Sequence, residues 1–420
     1  MNLLIKDATI LLKDSEFHQQ KRDILITDGH IARIADNISD VQAQIIKGSN
    51  LYCTIGLCDV GTHSGEPGFE HRETMDSLTR AARNGGYSAL VVFPNNKPIT
   101  QSKTTVNFLR NHPNRNGVEI WPVGALSQDL KGADISEYLD MVQAGAVAMS
   151  EGLVGVQDTG LINRAMQYAG SAGIPLIVHP DDHYLSREGQ MHEGVMSTSL
   201  GMKGVPDIAE IQMIQRDLMV LSYNDAHIIE HGISTARGLE TIRQYNEEDP
   251  RVFVTVPYLN LVHTDEDLHE FDSNLKVMPV LREHSDRIAL IDGVKVGTID
   301  AIISNHVPLD KEAKDVEFPY AVPGAIGLET CLPVLVDELK DDLDLAQIVD
   351  KLTIGPRQML GLPIPDIIVG AQANLCVFDT NATWTYADDQ IASASRNSPY
   401  LNREFHTKIV ATVIGDSFVG

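Results

Sequence analysis

A repeating unit, an apolar strand followed by a loop and an amphipathic helix, dominates the sequence from residue 51 onward. The strands are predicted to end near His63, Asn95, Leu126, Ser150, His179, His231, Pro257 and Asn305. Helical periodicity fills several of the intervals, at 73–84, 159–171, 207–221 and 235–245. Strands that alternate with helices form parallel sheets, because the helix carries the chain back across one face. Eight units in about 250 residues predict an α/β fold, a (β/α)8 TIM barrel, with a doubly wound open sheet as the alternative.

Both ends of the chain are instead predicted to form short strands. Alternating apolar segments occur at 3–5, 9–12, 23–27 and 30–34, and strand character returns at 373–378 and 408–413. We expect the two ends to build one small β-sandwich domain from residues 1–50 and 362–420. The barrel domain then comprises residues 51–361.

Charge and apolar content exclude several classes of function. The 420 residues carry a formal net charge of −25, which argues against a nucleic-acid partner because phosphate binding requires a basic surface. No apolar run approaches the roughly 20 residues that span a membrane. The four cysteines form no CxxC pair, and the N-terminal segment alternates like a strand rather than a signal peptide. We therefore expect reduced, buried thiols and a cytoplasmic location.

The first barrel strand ends in the most specific motif of the chain. Residues 58–70 have the sequence CDVGTHSGEPGFE. This segment resembles the first metal motif of the dihydroorotases, a branch of the amidohydrolase superfamily, with the pattern Asp-x-His-x-His-x-Arg-Glu-Pro-Gly. The resemblance implies that His63 is a metal ligand. Gly61 replaces the other metal-binding His of the family, and Gly65 replaces the Arg that binds the substrate carboxylate.

Further matches to this family follow in order along nearly the whole chain. Residues 93–98 (FPNNKP) resemble Met-Pro-Asn-Thr-x-Pro, which implies that Asn95 binds substrate; the alternative is a turn-forming residue. His179 and His231 match the ligands of the second metal, although each taken alone is typical of a buried structural histidine. The resemblance also implies that the backbone around Gly324 contacts substrate.

Two carboxylate positions depart from the family pattern. The bridging Asp falls on residues 151–152, where Glu151 is the remaining carboxylate; we expect an exposed loop residue, with a partial metal ligand as the alternative. Residues 297–309 (GTIDAIISNHVPL) resemble Gly-Thr-Ile-Asp-x-Ile-x-x-Asp-His-Ala-Pro-His, but Asn305 replaces the catalytic Asp and Leu309 the substrate-binding His. An amide cannot accept the proton that the mechanism of the family passes through this position. The loss of a positioned general base alone costs roughly 10²–10⁴-fold.

These departures leave three hypotheses. The first is a dihydroorotase-like protein of pyrimidine biosynthesis with little or no hydrolase activity, serving as a structural or regulatory partner of aspartate carbamoyltransferase. The second is an enzyme that opens a different cyclic amide or ureide with one metal. The third is an active metal-dependent dihydroorotase in which other residues, such as His306 or Glu66, compensate for Gly61 and Asn305.

The resemblance also bears on cofactors and partners. One Zn²⁺ at partial occupancy, or no metal, is expected. The residues predicted to hold such an ion are His63, His179, His231 and Glu151. A small-molecule substrate is expected only if the protein is active, no membrane partner is expected, and a homo-oligomer is what the family implies.

Overall fold

Eight parallel strands form a barrel in which each strand pairs with the next along the chain. The computed structural model describes residues 1–40, 42–113 and 116–420. The barrel strands, first to eighth, are Leu57–Thr62, Tyr87–Val92, Glu119–Ala125, Ala148–Ser150, Leu176–Val178, Ile228–Glu230, Val252–Pro257 and Ala301–Ile303. This sequential order confirms the predicted (β/α)8 barrel. The alternative of a doubly wound open sheet is wrong.

Helices lie between the strands and begin at residues suited to capping. Thr74 precedes the helix Met75–Asn84, and its hydroxyl accepts a hydrogen bond from the Ser77 N–H. Asp158 caps the helix Thr159–Ala172 in the same way. The other α-helices of the described residues are Lys103–Arg110, Tyr138–Gln143, His183–Ser186, Val195–Leu200, Ile208–Leu221, Ala236–Glu248, Tyr258–Val262, His284–Val296, Lys311–Lys314, Cys331–Leu339 and Leu345–Met359.

The barrel strands are continuous apolar runs because both of their faces are buried. In the second strand every residue from Tyr87 to Val92 is buried. Leu90 and Val92 belong to the core between the sheet and the helices, whereas Val91 and Phe93 belong to the core inside the barrel. Since neighbouring side chains of a strand point to opposite faces, this alternation directs Phe93 into the barrel interior, at the end where the strand stops.

Side-chain hydrogen bonds of Asp59 join the first barrel strand to the eighth. Its carboxylate accepts from the Ser304 N–H at 2.7 Å and from the Ser304 hydroxyl at 2.7 Å. The Thr62 hydroxyl donates to the same carboxylate at 2.5 Å. One residue beyond the first strand, the His63 N–H donates to the His306 carbonyl at 3.1 Å. These contacts close the seam of the barrel and fix the two strand ends that carry His63 and Asn305.

A second, mixed sheet is built from both ends of the chain. Its strands are Asn2–Ile10, Lys21–Thr27, His30–Ala35, Gln44–Ile46, Leu51–Ile55, Asn374–Asp379, Lys408–Ile414 and Ser417–Val419. The prediction of a β domain made by the two ends is confirmed, and its apolar side chains form a core of their own. The strand Leu51–Ile55 pairs with Asn374–Asp379 within this sheet. The division of the chain at residues 50 and 361 stays a prediction.

The cysteines match the sequence-based expectation. Cys53, Cys58, Cys331 and Cys376 are free and buried. Burial raises the pKa of the Cys53 thiol to about 12, so this group stays protonated at neutral pH. Among the described residues, no helix combines the length and the apolar character that crossing a bilayer requires.

Candidate functional site

Three histidines lie at strand ends, and the ring of Phe93 contacts two of them. His63 follows the first barrel strand, His179 the fifth and His231 the sixth, so all three lie at the carboxyl-terminal end of the barrel. The centroid of the Phe93 ring is 5.6 Å from that of His63 and 5.0 Å from that of His231, in edge-on contacts. The Nε2 atoms of the three imidazoles are buried and have no hydrogen-bond partner among the described residues.

The imidazoles of His63 and His231 are uncharged at neutral pH. Burial lowers the pKa of His63 to about 4, and the neighbouring His306 adds to the effect. Burial lowers the pKa of His231 to about 3, with further contributions from His179 and His63. The Nδ1 atom of His179 donates to the His231 carbonyl at 3.0 Å. Neutral imidazoles of this kind can bind metals or accept hydrogen bonds.

These histidines nevertheless do not make up a metal-binding group in the folded chain. Among residues 1–40, 42–113 and 116–420, no three His, Cys, Asp or Glu side chains lie where they could hold one ion. The arrangement therefore does not fit the two-metal centre that the motif pattern implies. Whether zinc binds at partial occupancy through His63, His179, His231 and Glu151 stays a prediction.

Glu151 is buried and engaged by a neighbouring loop. Its carboxylate accepts hydrogen bonds from the Ser127 N–H at 2.6 Å and from the Ser127 hydroxyl at 2.9 Å. The side chain is 4% exposed, so the expectation of an exposed loop residue is wrong. Ser127 follows the third barrel strand and Glu151 the fourth. The carboxylate thus links two adjacent strand ends, a role that the separate motifs did not reveal.

The backbone at Gly61 has a conformation that excludes most side chains. The pairing of the first and second strands shifts register between Val60 and Thr62, which makes Gly61 an extra residue in the ladder. Its φ is +87°. A Cβ atom added there would lie 2.6 Å from the His231 ring and 2.9 Å from the Phe93 ring. The position that carries a metal-binding His in the motif pattern is therefore filled by its neighbours.

Asn95 contacts the segment after the fourth strand. Its Nδ2 donates to the Glu151 carbonyl at 3.1 Å, while its Oδ1 is buried without a partner among the described residues. Gly152 has a φ of +76°, and a Cβ atom there would lie 2.0 Å from Asn95 Oδ1. A carboxylate at residue 152 would require Asn95 to move. Substrate binding by Asn95 stays a prediction.

Asn305 and Gly324 hold the loops that follow the seventh and eighth strands. The Nδ2 of Asn305 donates to the Met278 carbonyl at 2.9 Å. An aspartate in this orientation has no hydrogen to donate and would place its charge against that carbonyl. The Gly324 N–H donates to the Lys276 carbonyl at 2.8 Å. The predicted roles of Asn305 in catalysis and Gly324 in substrate binding stay predictions, and in this structure both residues bind neighbouring backbone.

A buried pair, Glu73 and His306, lies beside the predicted site residues. The Nε2 of His306 is 3.4 Å from a Glu73 oxygen, and both side chains are 1% exposed or less. Burial alone would raise the pKa of Glu73, but the hydrogen bond and charge of His306 hold it below its ordinary value. The Ala394 N–H also donates to Glu73, at 2.9 Å. His306 was predicted only as a residue that could compensate for missing site groups, and its contact with Glu73 was not predicted because the two are separated by most of the barrel.

Glu230, at the end of the sixth strand, is an acid buried beside another acid. Both of its carboxylate oxygens lack a hydrogen-bond partner among the described residues. Burial raises the pKa of Glu230 well above its ordinary value, and the charge of Asp217 raises it further. Asp217 itself accepts hydrogen bonds from the Arg216 guanidinium at 2.6 and 2.9 Å. The folded chain therefore favours protonated Glu230.

Glu230→Gln is expected to stabilise the protein at pH 8 but not at pH 4. Because the folded pKa of Glu230 is raised, the folded state holds a proton that the unfolded state loses above its own pKa. Stability contributed by this proton is complete below the unfolded pKa and is lost as pH rises toward the folded pKa, by about 1.4 kcal/mol per pH unit. Urea unfolding at both pH values measures the difference, with the exposed Glu248→Gln as control. Equal effects of Glu230→Gln at the two pH values would contradict the assignment.

Comparisons with known proteins agree with the barrel and with the order of its motifs. A family model described as Dihydro-orotase-like matches residues 52–235. The chain is 35% identical to a dihydroorotase of Pelotomaculum thermopropionicum, covering 100% of this chain and 98% of the relative. It is 36% identical to a dihydroorotase of Ruminiclostridium cellulolyticum, covering 99% and 97%.

Solved structures show the same fold at lower identity. The L-hydantoinase (dihydropyrimidinase) of Arthrobacter aurescens superposes with a TM-score of 0.86 at 22% identity, over 100% of this chain and 96% of that one. This likeness concerns the fold alone. The similarity to the curated relatives, in contrast, extends over nearly their whole length at about a third of positions. The chain therefore belongs to the dihydroorotase family.

Proposed function

We propose that this member of the dihydroorotase family has little or no cyclic-amide hydrolase activity and serves beside aspartate carbamoyltransferase as a structural or regulatory subunit. The observation that carries the proposal is the hydrogen bond from Asn305 Nδ2 to the Met278 carbonyl. It places an amide donor where the family pattern has a carboxylate that moves the proton. We propose further that the protein is cytoplasmic and forms a homo-oligomer.

Other features of the barrel mouth support the proposed loss of hydrolase activity. Hydrolysis in the family requires a hydroxide made on a metal, and the described His, Cys, Asp and Glu side chains form no group that holds one. The Arg that binds a substrate carboxylate is replaced by Gly65. Glu151 binds Ser127. These losses affect ion binding, substrate binding and proton transfer, so they reinforce the cost of the missing base.

The proposed structural or regulatory role rests on a contrast. The site residues depart from the family pattern, whereas the contacts that hold the barrel together are preserved. The seam at Asp59 and Ser304, the loop contact of Glu151 and the buried pair of Glu73 and His306 are all well formed. Such contacts preserve a rigid body whether or not it turns over substrate. The family resemblance identifies aspartate carbamoyltransferase as the partner to test first.

Ring opening of dihydroorotate by the purified protein tests the catalytic part. We expect kcat/KM at least about 10⁴-fold below that of the Pelotomaculum thermopropionicum relative, because the missing base alone accounts for up to that factor. Both proteins are assayed with added Zn²⁺, and their metal content is measured. A kcat/KM less than about 100-fold below that of the relative would reject the proposal, because 100-fold is the smallest loss expected for a missing base.

Gel filtration and pull-down with the aspartate carbamoyltransferase of the same organism test the partner. Co-elution as one complex at micromolar concentrations is the expected result, with a second acidic protein of similar size as the control. Separate elution of the two proteins would reject the structural role while leaving the catalytic part intact.

A cavity among the loops beside the predicted site is consistent with one alternative, an enzyme acting on a different cyclic amide or ureide. The cavity has a volume of about 520 Å³ and is lined in part by His71, Leu309, Arg396 and Asn397, but by none of the three histidines. This size is typical of small-molecule sites. Solved structures of the same fold are named hydantoinases. A panel of hydantoins, dihydropyrimidines and dihydroorotate distinguishes this alternative, since turnover of a hydantoin or a dihydropyrimidine but not of dihydroorotate would favour it.

A further inference from the structure

We infer that the bulge at Gly61 and the ring of Phe93 together close the first metal position of the barrel, so that restoring the missing imidazole alone cannot restore ion binding. The inference deepens the proposed loss of hydrolase activity and rests on it. It assigns to Phe93 a role as the side chain that keeps the imidazoles of His63 and His231 apart.

The backbone at Gly61 leaves no room for a side chain. The register of the ladder between the first two strands shifts between Val60 and Thr62, so Gly61 lies in a bulge. The φ of +87° is a conformation that residues other than glycine rarely adopt. Besides this strain, a Cβ atom would lie 2.6 Å from the His231 ring. A histidine at residue 61 thus requires both a change of backbone and a displaced His231.

Phe93 is packed in the barrel interior. The side chain is 1% exposed and belongs to the apolar core inside the barrel. Its ring meets His63 and His231 edge-on, at centroid distances of 5.6 and 5.0 Å. Edge-to-face aromatic contacts of this kind are favourable in addition to the burial of the rings. The family pattern has methionine at this position, which is flexible and can yield space. The rigid ring of Phe93 cannot yield space in this way.

The imidazoles of His63, His179 and His231 each keep an unused nitrogen. Nε2 of each ring is buried and has no hydrogen-bond partner among the described residues. Imidazole nitrogens suit a divalent cation, but no three His, Cys, Asp or Glu side chains of the described residues lie where they could hold one. Removal of the ring should allow the imidazoles to approach one another.

Co²⁺ titration followed by visible absorption tests the inference without relying on turnover. The proteins compared are the wild type, Gly61→His, Phe93→Ala and Phe93→Met, with Phe253→Ala as a control for loss of another barrel aromatic. We expect Phe93→Ala to bind one Co²⁺ per chain at least about 10-fold more tightly than the wild type. Gly61→His and the control should bind no better than the wild type. Adding His231→Ala to Phe93→Ala should abolish the gain.

Two outcomes would overturn the inference. One is tight Co²⁺ binding by the wild type or by Gly61→His that is lost on replacement of His63 or His231. The other is a folded Phe93→Ala protein, judged by circular dichroism, that binds no more tightly than the wild type. If Phe93→Ala fails to fold, Phe93→Met supplies the same comparison, because the flexible methionine side chain can yield space to the imidazoles and is likewise expected to tighten Co²⁺ binding. Turnover of dihydroorotate by the wild type would instead refute the proposed function, which keeps the two failures separate.

Discussion

Gly65→Arg is expected to lower the free energy of unfolding by about 2–6 kcal/mol, enough to unfold a marginally stable domain. Gly65 has a φ of +69°, and a Cβ atom there would lie 2.4 Å from the Glu73 carbonyl oxygen and 2.8 Å from the Glu73 Cβ. Strain in the left-handed region accounts for part of the loss. The collision accounts for the rest, because the obstructing atom is backbone in the segment that places Glu73 beside His306. Urea denaturation gives the difference from the wild type.

Gly173→Arg is the matched control for this substitution. Gly173 has nearly the same φ, +70°, but no atom lies within 4 Å of a Cβ built there. Gly173→Arg should therefore lower the free energy of unfolding by about 1–3 kcal/mol, through backbone strain alone. Equal losses at the two positions would mean that the segment containing Glu73 can move aside. The same reasoning applies to any attempt to rebuild the family site with Gly61→His, Gly65→Arg and Asn305→Asp together, because folding must be measured before activity.

Asp59→Ala is expected to lower the free energy of unfolding by about 3–5 kcal/mol, since breaking a buried charged hydrogen-bond network leaves its partners unsatisfied. The carboxylate accepts from the Ser304 N–H, the Ser304 hydroxyl and the Thr62 hydroxyl. The N–H has no means of turning toward another acceptor. Removal of Asp59 therefore opens the seam between the first and eighth strands, where the ends of the barrel sheet meet.

Ser304→Ala separates this effect from an ordinary lost hydrogen bond. It removes the hydroxyl contact but keeps the N–H bond to Asp59, so the expected loss is about 1 kcal/mol. Thermal and urea unfolding of the two variants should differ clearly, and comparable losses would show that the seam does not depend on the carboxylate.

The strand ends were the most predictable part of the fold. An apolar run that stops at a polar or turn-forming residue identified the ends of all eight barrel strands, and so placed His63, His179 and His231 at one end of the barrel. The pattern succeeds because strands that are buried on both faces must be apolar along nearly their whole length. Family motifs added the positions of Asn95 and Asn305 within the same ring of loops.

The contacts between those loops could not be predicted in the same way. Glu151 was expected to be exposed, yet it binds Ser127, because the partner belongs to a different loop and no periodicity relates them. The missing imidazole at Gly61 was evident from the motif. The bulge and the contact with Phe93 were not, since they depend on the register between two strands. The contact between Glu73 and His306 was not predicted for a similar reason, because their proximity is a product of barrel closure.

The sheet made from both chain ends has a consequence for synthesis. Leu51–Ile55 precedes the barrel and Asn374–Asp379 follows it, yet the two strands are antiparallel neighbours. During synthesis, one edge of Leu51–Ile55 stays unpaired until the entire barrel has been translated, at about 5–20 residues per second. Pairing over such a sequence separation is slow, and an open strand edge attracts other chains. The nascent protein is therefore most vulnerable to aggregation just before its last strands arrive.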